Sequence, residues 1–379
     1  MRVAIVTETF LPQVNGVVRM LVEYLAYLEA HGHDAVVFAP GEGGGGDESC
    51  HSFDVLRVRG AALPLYPELT LAPYSRRMHG VLREWRPDVV HLAGPFVLGA
   101  QGLSVARALG VPVAAHYQTD LARYAEHFGL GALTGLAWRR LLGIHNGCDV
   151  TFAPTSSVAR DLRERGMRRV HICGRGVDTT AFHPMYRDTT VRKRFGGGSD
   201  APLMLYVGRL SPEKNLAALV AVARALPAYP LVIVGDGPMR GELAAQLDGL
   251  NVHFTGTLRG QALAAAYAAA DLFLFPSQTE TFGQVVREAM ASGLPTVGIR
   301  AGGVRDLVAD GRTGLLCPPD DTPAFVDAAR TIAADPDLRY AMGAAARREA
   351  EGHTWASIFD RLMGWYAGIA TPQHVAISN

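Results

Sequence analysis

The chain has 379 residues, 49% of them apolar and 19% charged, which supplies two hydrophobic cores and excludes a mainly disordered chain. Thirty-six basic residues balance 36 acidic ones, which argues against a nucleic-acid binder working through bulk positive charge. The four cysteines (Cys50, Cys148, Cys173 and Cys317) form no C-x-x-C pair and no metal-ligand spacing, the usage of a reduced cytosolic protein.

From Met1 to Phe10 there is one arginine and a four-residue apolar run, a first strand and too short for a signal peptide. No apolar run approaches the ~20 residues that span a bilayer. Residues 3–7 predict that strand, and Pro12-Gln13-Val14-Asn15-Gly16 a turn. Val18, Leu21, Val22, Leu25 and Leu28 then recur at helical spacing, predicting a helix over 17–30 that ends at Gly32. Strands are expected near 34–39, 54–59, 88–92, 111–115, 149–153 and 169–172. The glycine run 41–46 reads as a surface loop, because no strand–helix context makes it a phosphate loop.

A second series begins after residue 200, with strands at 203–207, 231–234, 252–255, 272–275 and 296–299, each leading into helix-forming sequence. Strands alternating with helices mean parallel sheets covered on both faces. The fold class is therefore α/β, with two doubly wound domains and a connector within 176–200. The domains are expected at 1–178 and 185–353, with a last helix at about 354–370 packing back on the first. Ligands gather at the carboxyl ends of such strands, so a cleft between the domains is the expected site.

Four strand-end stretches carry candidate chemistry. Near 272–290 an apolar strand stops at Pro276, a polar loop comes next, and a helix is expected from Phe282. Glu280 stands at that junction and Glu288 eight residues on, ~12 Å along a fully helical interval. Such a pair cannot serve one small group, but it can grip two ends of an extended ligand through hydroxyls. The amides of 281–284 would meet an anion there. Two solvated glutamates on a helix face are the alternative. In the stretch 203–215, Ser211 reads as a helix N-cap and Pro212 as its first residue, flanked by Arg209 and Lys214 where a pyrophosphate could bind. Lys193 and Lys214 are the only lysines beside 34 arginines. In the stretch 7–18, Gly16 lets backbone approach a ligand closely. At 113–120, His116, Gln118 and Asp120 alternate with Tyr117 and Thr119 at a strand end. Neither the stretch 7–18 nor the Gly235-Asp236-Gly237-Pro238 turn fits G-x-G-x-x-G, no G-x-S-x-G or H-E-x-x-H occurs, and Asp335-Pro336-Asp337 reads as a turn and N-cap.

Together these stretches resemble the family-4 retaining glycosyltransferases of GT-B fold. The motifs are F-x-P-x-x-x-G-V (Phe10 to Val17), G-V-D-x-x-x-F-x-P (Gly176 to Pro184), V-G-R-L-x-x-E-K (Val207 to Lys214), V-G-D-G-P (Val234 to Pro238) and E-x7-E (Glu280 to Glu288). A-x-G-x-P (Ala291 to Pro295) and G-G-x-x-D (Gly302 to Asp306) complete the set. Within the family the chain most resembles the actinobacterial-type GDP-mannose-dependent α-mannosyltransferases, through Y-Q-T-D, R-G-V-D and E-T-F-x-Q-V-V.

The resemblance implies that Arg209 and Lys214 hold the donor diphosphate, Glu280 the sugar hydroxyls and Glu288 the ribose. Main chain near Leu258 would meet the base, and Thr281, Phe282 and Gly283 would line the donor site. Gly16 would approach the diphosphate from the other domain, with Asn15 and Asp120 on the acceptor side. Many members carry histidine where this chain has Gln118. His116 lies two residues earlier, on the same face of an extended strand, and is the less favoured stand-in.

The implied activity is retaining transfer of a hexose, mannose from GDP-mannose, to a lipid or glycan acceptor, without cofactor or metal. Two alternatives stay open within the fold: a glycolipid synthase using a UDP-sugar (glucose, galactose or sulfoquinovose), and an epimerase. A non-catalytic sugar-nucleotide-binding module is the alternative of another class. Tyr74-Ser75-Arg76-Arg77 and Trp138-Arg139-Arg140 are candidates for contact with anionic lipid head groups. That places the expected protein in the cytoplasm, at the inner face of the membrane, with no nucleic-acid partner.

Overall fold

The computed structural model describes residues 1–13, 15–41, 48–63, 66–72, 75–118, 131–197 and 201–370. The chain divides into two compact units, Met1–Gly174 with Ile358–Asn379, and Arg175–Ser357.

The first unit is built on an eight-stranded sheet. Its strands are β1 (Arg2–Thr7), β2 (Asp34–Gly41), β3 (Glu48–Cys50), β4 (Phe53–Arg59), β7 (Val89–Ala93), β8 (Val113–His116), β9 (Val150–Ala153) and β10 (Val170–Ile172). The spatial order is β10-β9-β8-β7-β1-β2-β4-β3. All pairings are parallel except β3 on β4. The hairpin of β5 (Ala61–Leu63) and β6 (Tyr66–Leu71) stands apart. β1, β7, β8 and β9 are buried along nearly their whole length, as expected of central parallel strands covered on both faces.

Asn15 opens the Gly16–Ala30 helix: its side chain accepts from Val17 N and Val18 N, both at 3.0 Å. The periodic residues Val18, Leu21, Leu25 and Leu28 are the buried face, and the helix stops one residue before the turn at His31-Gly32. The Trp355–Ala370 helix brings Phe359, Met363 and Tyr366 onto the first unit. There Tyr24 donates to Met363 Sδ at 3.2 Å, and its ring lies 5.0 Å from that of Phe359.

The second unit has a six-stranded parallel sheet: β11 (Met204–Val207), β12 (Leu231–Val234), β13 (Val252–Gly256), β14 (Leu272–Phe275), β15 (Thr296–Ile299) and β16 (Gly314–Cys317). The order β13-β12-β11-β14-β15-β16 is that of a dinucleotide-binding Rossmann sheet, whose direction of winding reverses between β11 and β14. Buried side chains on either face form two cores, one around Phe273, Phe275 and Val286, the other around Leu219, Ile233 and Phe325. Asp335 caps the Pro336–Glu351 helix by accepting from Leu338 N at 2.9 Å, so Asp335-Pro336-Asp337 is a turn and cap. β3, the β5–β6 hairpin and β16 have no counterpart among the expected strands. The glycine run 41–46 lies outside the described residues after Gly41.

Two buried histidines make the first unit acid-sensitive. Burial alone pushes His91 down to about 3 and His145 down to about 4. The unfolded chain returns both to near 6.5, so below that pH the unfolded state binds more protons and stability falls. At pH 5.5 each histidine contributes a loss on the order of 1 kcal/mol. Glu8, raised by its burial, works in the opposite sense as a single group. The thermal midpoint should therefore drop between pH 7.5 and 5.5, and a midpoint that rises over that interval would contradict this accounting.

Candidate functional site

The second unit places two loops at its switch point, one after β11 and one after β14. They carry the residues the sequence singled out. Lys214 Nζ donates to Glu280 Oε1 across 66 residues of sequence, forming an ion pair between side chains only 19% and 21% exposed. Ser277 Oγ is 3.4 Å from the same carboxylate oxygen. Glu280 is also held through its backbone: Gly303 N donates to Glu280 O at 2.7 Å. A Cβ at Gly303 would come within 2.5 Å of Thr281 O, so only glycine permits this approach.

On the β11 side, Tyr206 OH donates to Arg209 O at 3.1 Å and fixes the backbone where the exposed Arg209 side chain departs. The helix expected from Pro212 is a three-residue 3-10 turn, Pro212–Lys214. Ser211 Oγ does not cap it but donates to Glu213 Oε1 at 2.5 Å. So short a turn has little dipole to offer an anion, and the two cations carry that role.

Two charged groups that stand in the quoted motifs but were given no role there complete the cluster. Glu213 sits between the cations. Burial raises its pKa, but the Ser211 hydrogen bond, its own backbone amide and the charges of Lys214 and Arg209 outweigh that and keep it low. Arg175, half-buried, is pushed down to about 10 by the protein packed around it, against the pull of Glu280. Tyr206 beneath them is held well above the ordinary phenol range by burial and by Glu280 and Glu213. The site is thus a closely coupled set of three cations and two carboxylates.

The helix after Glu280 starts at Gln284, with Gly283 as N-cap at φ +94°, and runs to Ala291. Glu288 is therefore four residues past the helix start, ~6 Å along its axis, and the interval from Glu280 is not helical throughout. It is 1% exposed and accepts from Tyr267 OH at 3.1 Å. The alternative of a solvated glutamate face is excluded for this residue. Phe282 is buried with the Arg287 guanidinium 5.7 Å from its ring centre, and Thr281 is half-buried. Leu258, in the loop after β13, packs against the core that includes Phe282.

In the first unit the expected residues gather at strand ends. Gly16 is the first residue of its helix. Asn15 caps that helix and also donates through Nδ2 to Thr9 Oγ1 at 2.9 Å. β8 ends at His116, whose Nδ1 lies 3.0 Å from His91 Nε2, while His91 Nδ1 is hydrogen-bonded to Tyr366 OH. Gln118 is buried, with Nε2 3.2 Å from Met20 Sδ, a weak acceptor. Thr119 and Asp120 lie outside the described residues.

Glu8 was not marked by any motif. It is buried at the end of β1, beside the point where this sheet reverses between β1 and β7. Its Oε1 accepts from Phe96 N at 2.8 Å and Gly99 N at 3.0 Å, beside the start of the Leu98–Leu109 helix.

Of the surface candidates, Arg76 and Arg77 are exposed and Tyr74 lies outside the described residues. Arg139 and Arg140 are exposed, but Trp138 is covered by the Arg165 guanidinium 4.5 Å from its ring centre. Among the described residues no helix is long and apolar enough to cross a membrane.

Comparison with known proteins agrees with this layout. Residues 14–181 match the family model described as Glycosyltransferase Family 4, and residues 188–349 match Glycosyl transferases group 1. The chain is 44% identical to the GDP-mannose-dependent alpha-mannosyltransferase of Mycolicibacterium smegmatis, over 97% of this chain and 98% of that one. It is 32% identical to the sulfoquinovosyl transferase SQD2 of Arabidopsis thaliana, over 92% of this chain and 70% of that one. In fold it resembles Anabaena Alr3699/HepE, solved in complex with UDP-glucose, at a TM-score of 0.77, 19% identity and coverage of 97% and 100%.

Proposed function

The chain belongs to glycosyltransferase family 4 with a GT-B fold, and from that membership we propose that it transfers mannose from GDP-mannose to a lipid or glycan acceptor. The carrying observation is the Lys214–Glu280 pair, with Arg175 and Arg209 beside it, at the switch point of the nucleotide-type sheet. A diphosphate leaving group needs cations where negative charge develops, and the sugar needs an acceptor of hydroxyl hydrogen bonds beside them. Lys214 and Arg209 supply the first, Glu280 the second.

Glu288 would take the ribose hydroxyls. In the step itself the acceptor oxygen bonds to the anomeric carbon on the face from which the diphosphate leaves. The acceptor's proton passes to the departing phosphate oxygen, GDP is released, and configuration is retained. One pre-aimed group stabilising such developing charge is worth about 3–4 kcal/mol of barrier. The relative at 44% identity has a GDP-mannose donor in its name, whereas the relative whose name points to sulfoquinovose is at 32%. That difference favours mannose over the UDP-sugar reading. Exposed Arg76, Arg77, Arg139 and Arg140 support peripheral contact of the first unit with anionic lipid.

The test is a donor panel, one nucleotide sugar at a time, with crude lipid and simple alkyl sugars as acceptors and mass spectrometry as the readout. Hexose transfer from GDP-mannose is expected. Transfer from UDP-sugars alone would overturn the donor assignment, and isomerised sugar nucleotide without acceptor would indicate an epimerase. Because protein cations meet the leaving group, EDTA should leave the rate nearly unchanged. An absolute need for magnesium or manganese would contradict that arrangement.

A further inference from the structure

The chain passes between its two compact units twice, at Gly174/Arg175 and at Ser357/Ile358. Just inside the second unit the two crossing segments run side by side. Val177 N donates to His353 O at 3.1 Å, and Val177 pairs with Thr354 in an isolated parallel bridge. Gly176 lies so near Trp355 that a Cβ would sit 2.4 Å from that residue's backbone N and Cα. No other residue type fits at 176 without pushing the segments apart.

Gln284 joins this pair to the site. Its Nε2 donates to Gly176 O at 2.9 Å, across 108 residues of sequence. Its Oε1 is buried and has no hydrogen-bond partner among the described residues. Turning the amide over would set that oxygen against the Gly176 carbonyl, so the observed orientation is the one the contact requires. Gln284 is also the first residue of the helix after the Glu280 loop. Arg175, next to Gly176, faces Glu280 electrostatically.

We propose that Gln284 is a positioning residue for the transfer step, tying both crossing segments at Gly176 to the loop that carries Glu280. The inference rests on the proposed mannosyl transfer. Gly176 and Gln284 belong to the second unit with Glu280, Lys214 and Arg209, but neither is among the groups expected to touch the nucleotide. Gln284 opens the helix that follows the Glu280 loop, so its bond to Gly176 O bears on where that loop is held. Loosening the tie therefore slows transfer while leaving nucleotide affinity in place.

Gln284→Met keeps the length and removes the donor; Gln284→Asn keeps the amide but withdraws it from Gly176. For each, kcat and KM with GDP-mannose, the Kd for GDP by calorimetry, and the thermal midpoint are measured. A positional error of this kind is expected to lower kcat about tenfold to a hundredfold, with GDP affinity and midpoint close to wild type. Wild-type kcat in both variants overturns the inference. So does GDP affinity falling in step with kcat, which would place Gln284 in donor binding, or a large fall in midpoint in both, which would make it structural. A wild-type protein that neither binds GDP nor uses GDP-mannose sinks the functional reading itself, and that result is read before any variant is made.

Discussion

Replacing Lys214 by alanine should lower transfer at least tenfold and leave the fold intact. The ammonium sits on a short surface turn, paired with a carboxylate that is itself partly exposed. Arg175 still faces the carboxylate once the ammonium is gone, so the fold is expected to persist. The ammonium's contact with a diphosphate is different in kind, because charge-assisted bonds to phosphate strengthen as the leaving group gains charge. A tenfold loss is only about 1.4 kcal/mol of barrier, a modest demand on such a contact. Removal also takes from Glu280 its ion-pair partner, so sugar hydroxyls are held less firmly. Arg209→Ala should act in the same direction by at least tenfold, through the phosphate alone. Steady-state kinetics beside a thermal melt decide the matter. A well-folded Lys214→Ala protein with wild-type turnover would rule out the diphosphate clamp.

The two carboxylates should separate cleanly. Glu288 is buried against Tyr267, and Glu288→Gln keeps its volume and an oxygen for that phenol. The expected result is a higher KM for the donor with an equal loss of affinity for free GDP, and kcat little changed. Glu280→Gln should keep GDP affinity and lower kcat, since sugar hydroxyls must be held while the anomeric carbon gains positive charge. Calorimetry with GDP alone, beside kinetics on both variants, reads the difference. If Glu280→Gln binds GDP poorly while Glu288→Gln binds it normally, the two assignments are reversed.

The donor-side residues were legible because each stands at the end of a short apolar strand. Leu272 to Phe275 and Met204 to Val207 are strands by local pattern, and the loop after each is confined to one edge of a parallel sheet. The contact of Lys214 with Glu280 was not legible in that way. It depends on β11 and β14 being neighbours, a matter of sheet order across 66 residues of sequence. The approach of Arg175 to Glu280 and the Gln284–Gly176 bond were hidden for the same reason. Gly314-Leu315-Leu316-Cys317 forms β16 without alternation or length to mark it, and is fixed by pairing with β15. Glu8 carries no local sign of burial either; its place is set by amides donated by Phe96 and Gly99, some ninety residues away. The premature helix start at Phe282 has a local cause: Gly283 holds a left-handed φ of +94°, which a helical pattern does not reveal.

The most direct measurement is a competition in one vessel. GDP-mannose carrying isotopically labelled mannose is mixed with an equal concentration of unlabelled UDP-glucose, wild-type protein and crude lipid acceptor. Mannose and glucose have the same mass, so the label alone reports which donor was used. Product carrying labelled hexose is the predicted result, together with its loss when Lys214→Ala replaces wild type. Product carrying only unlabelled hexose would contradict mannosyl transfer from GDP-mannose.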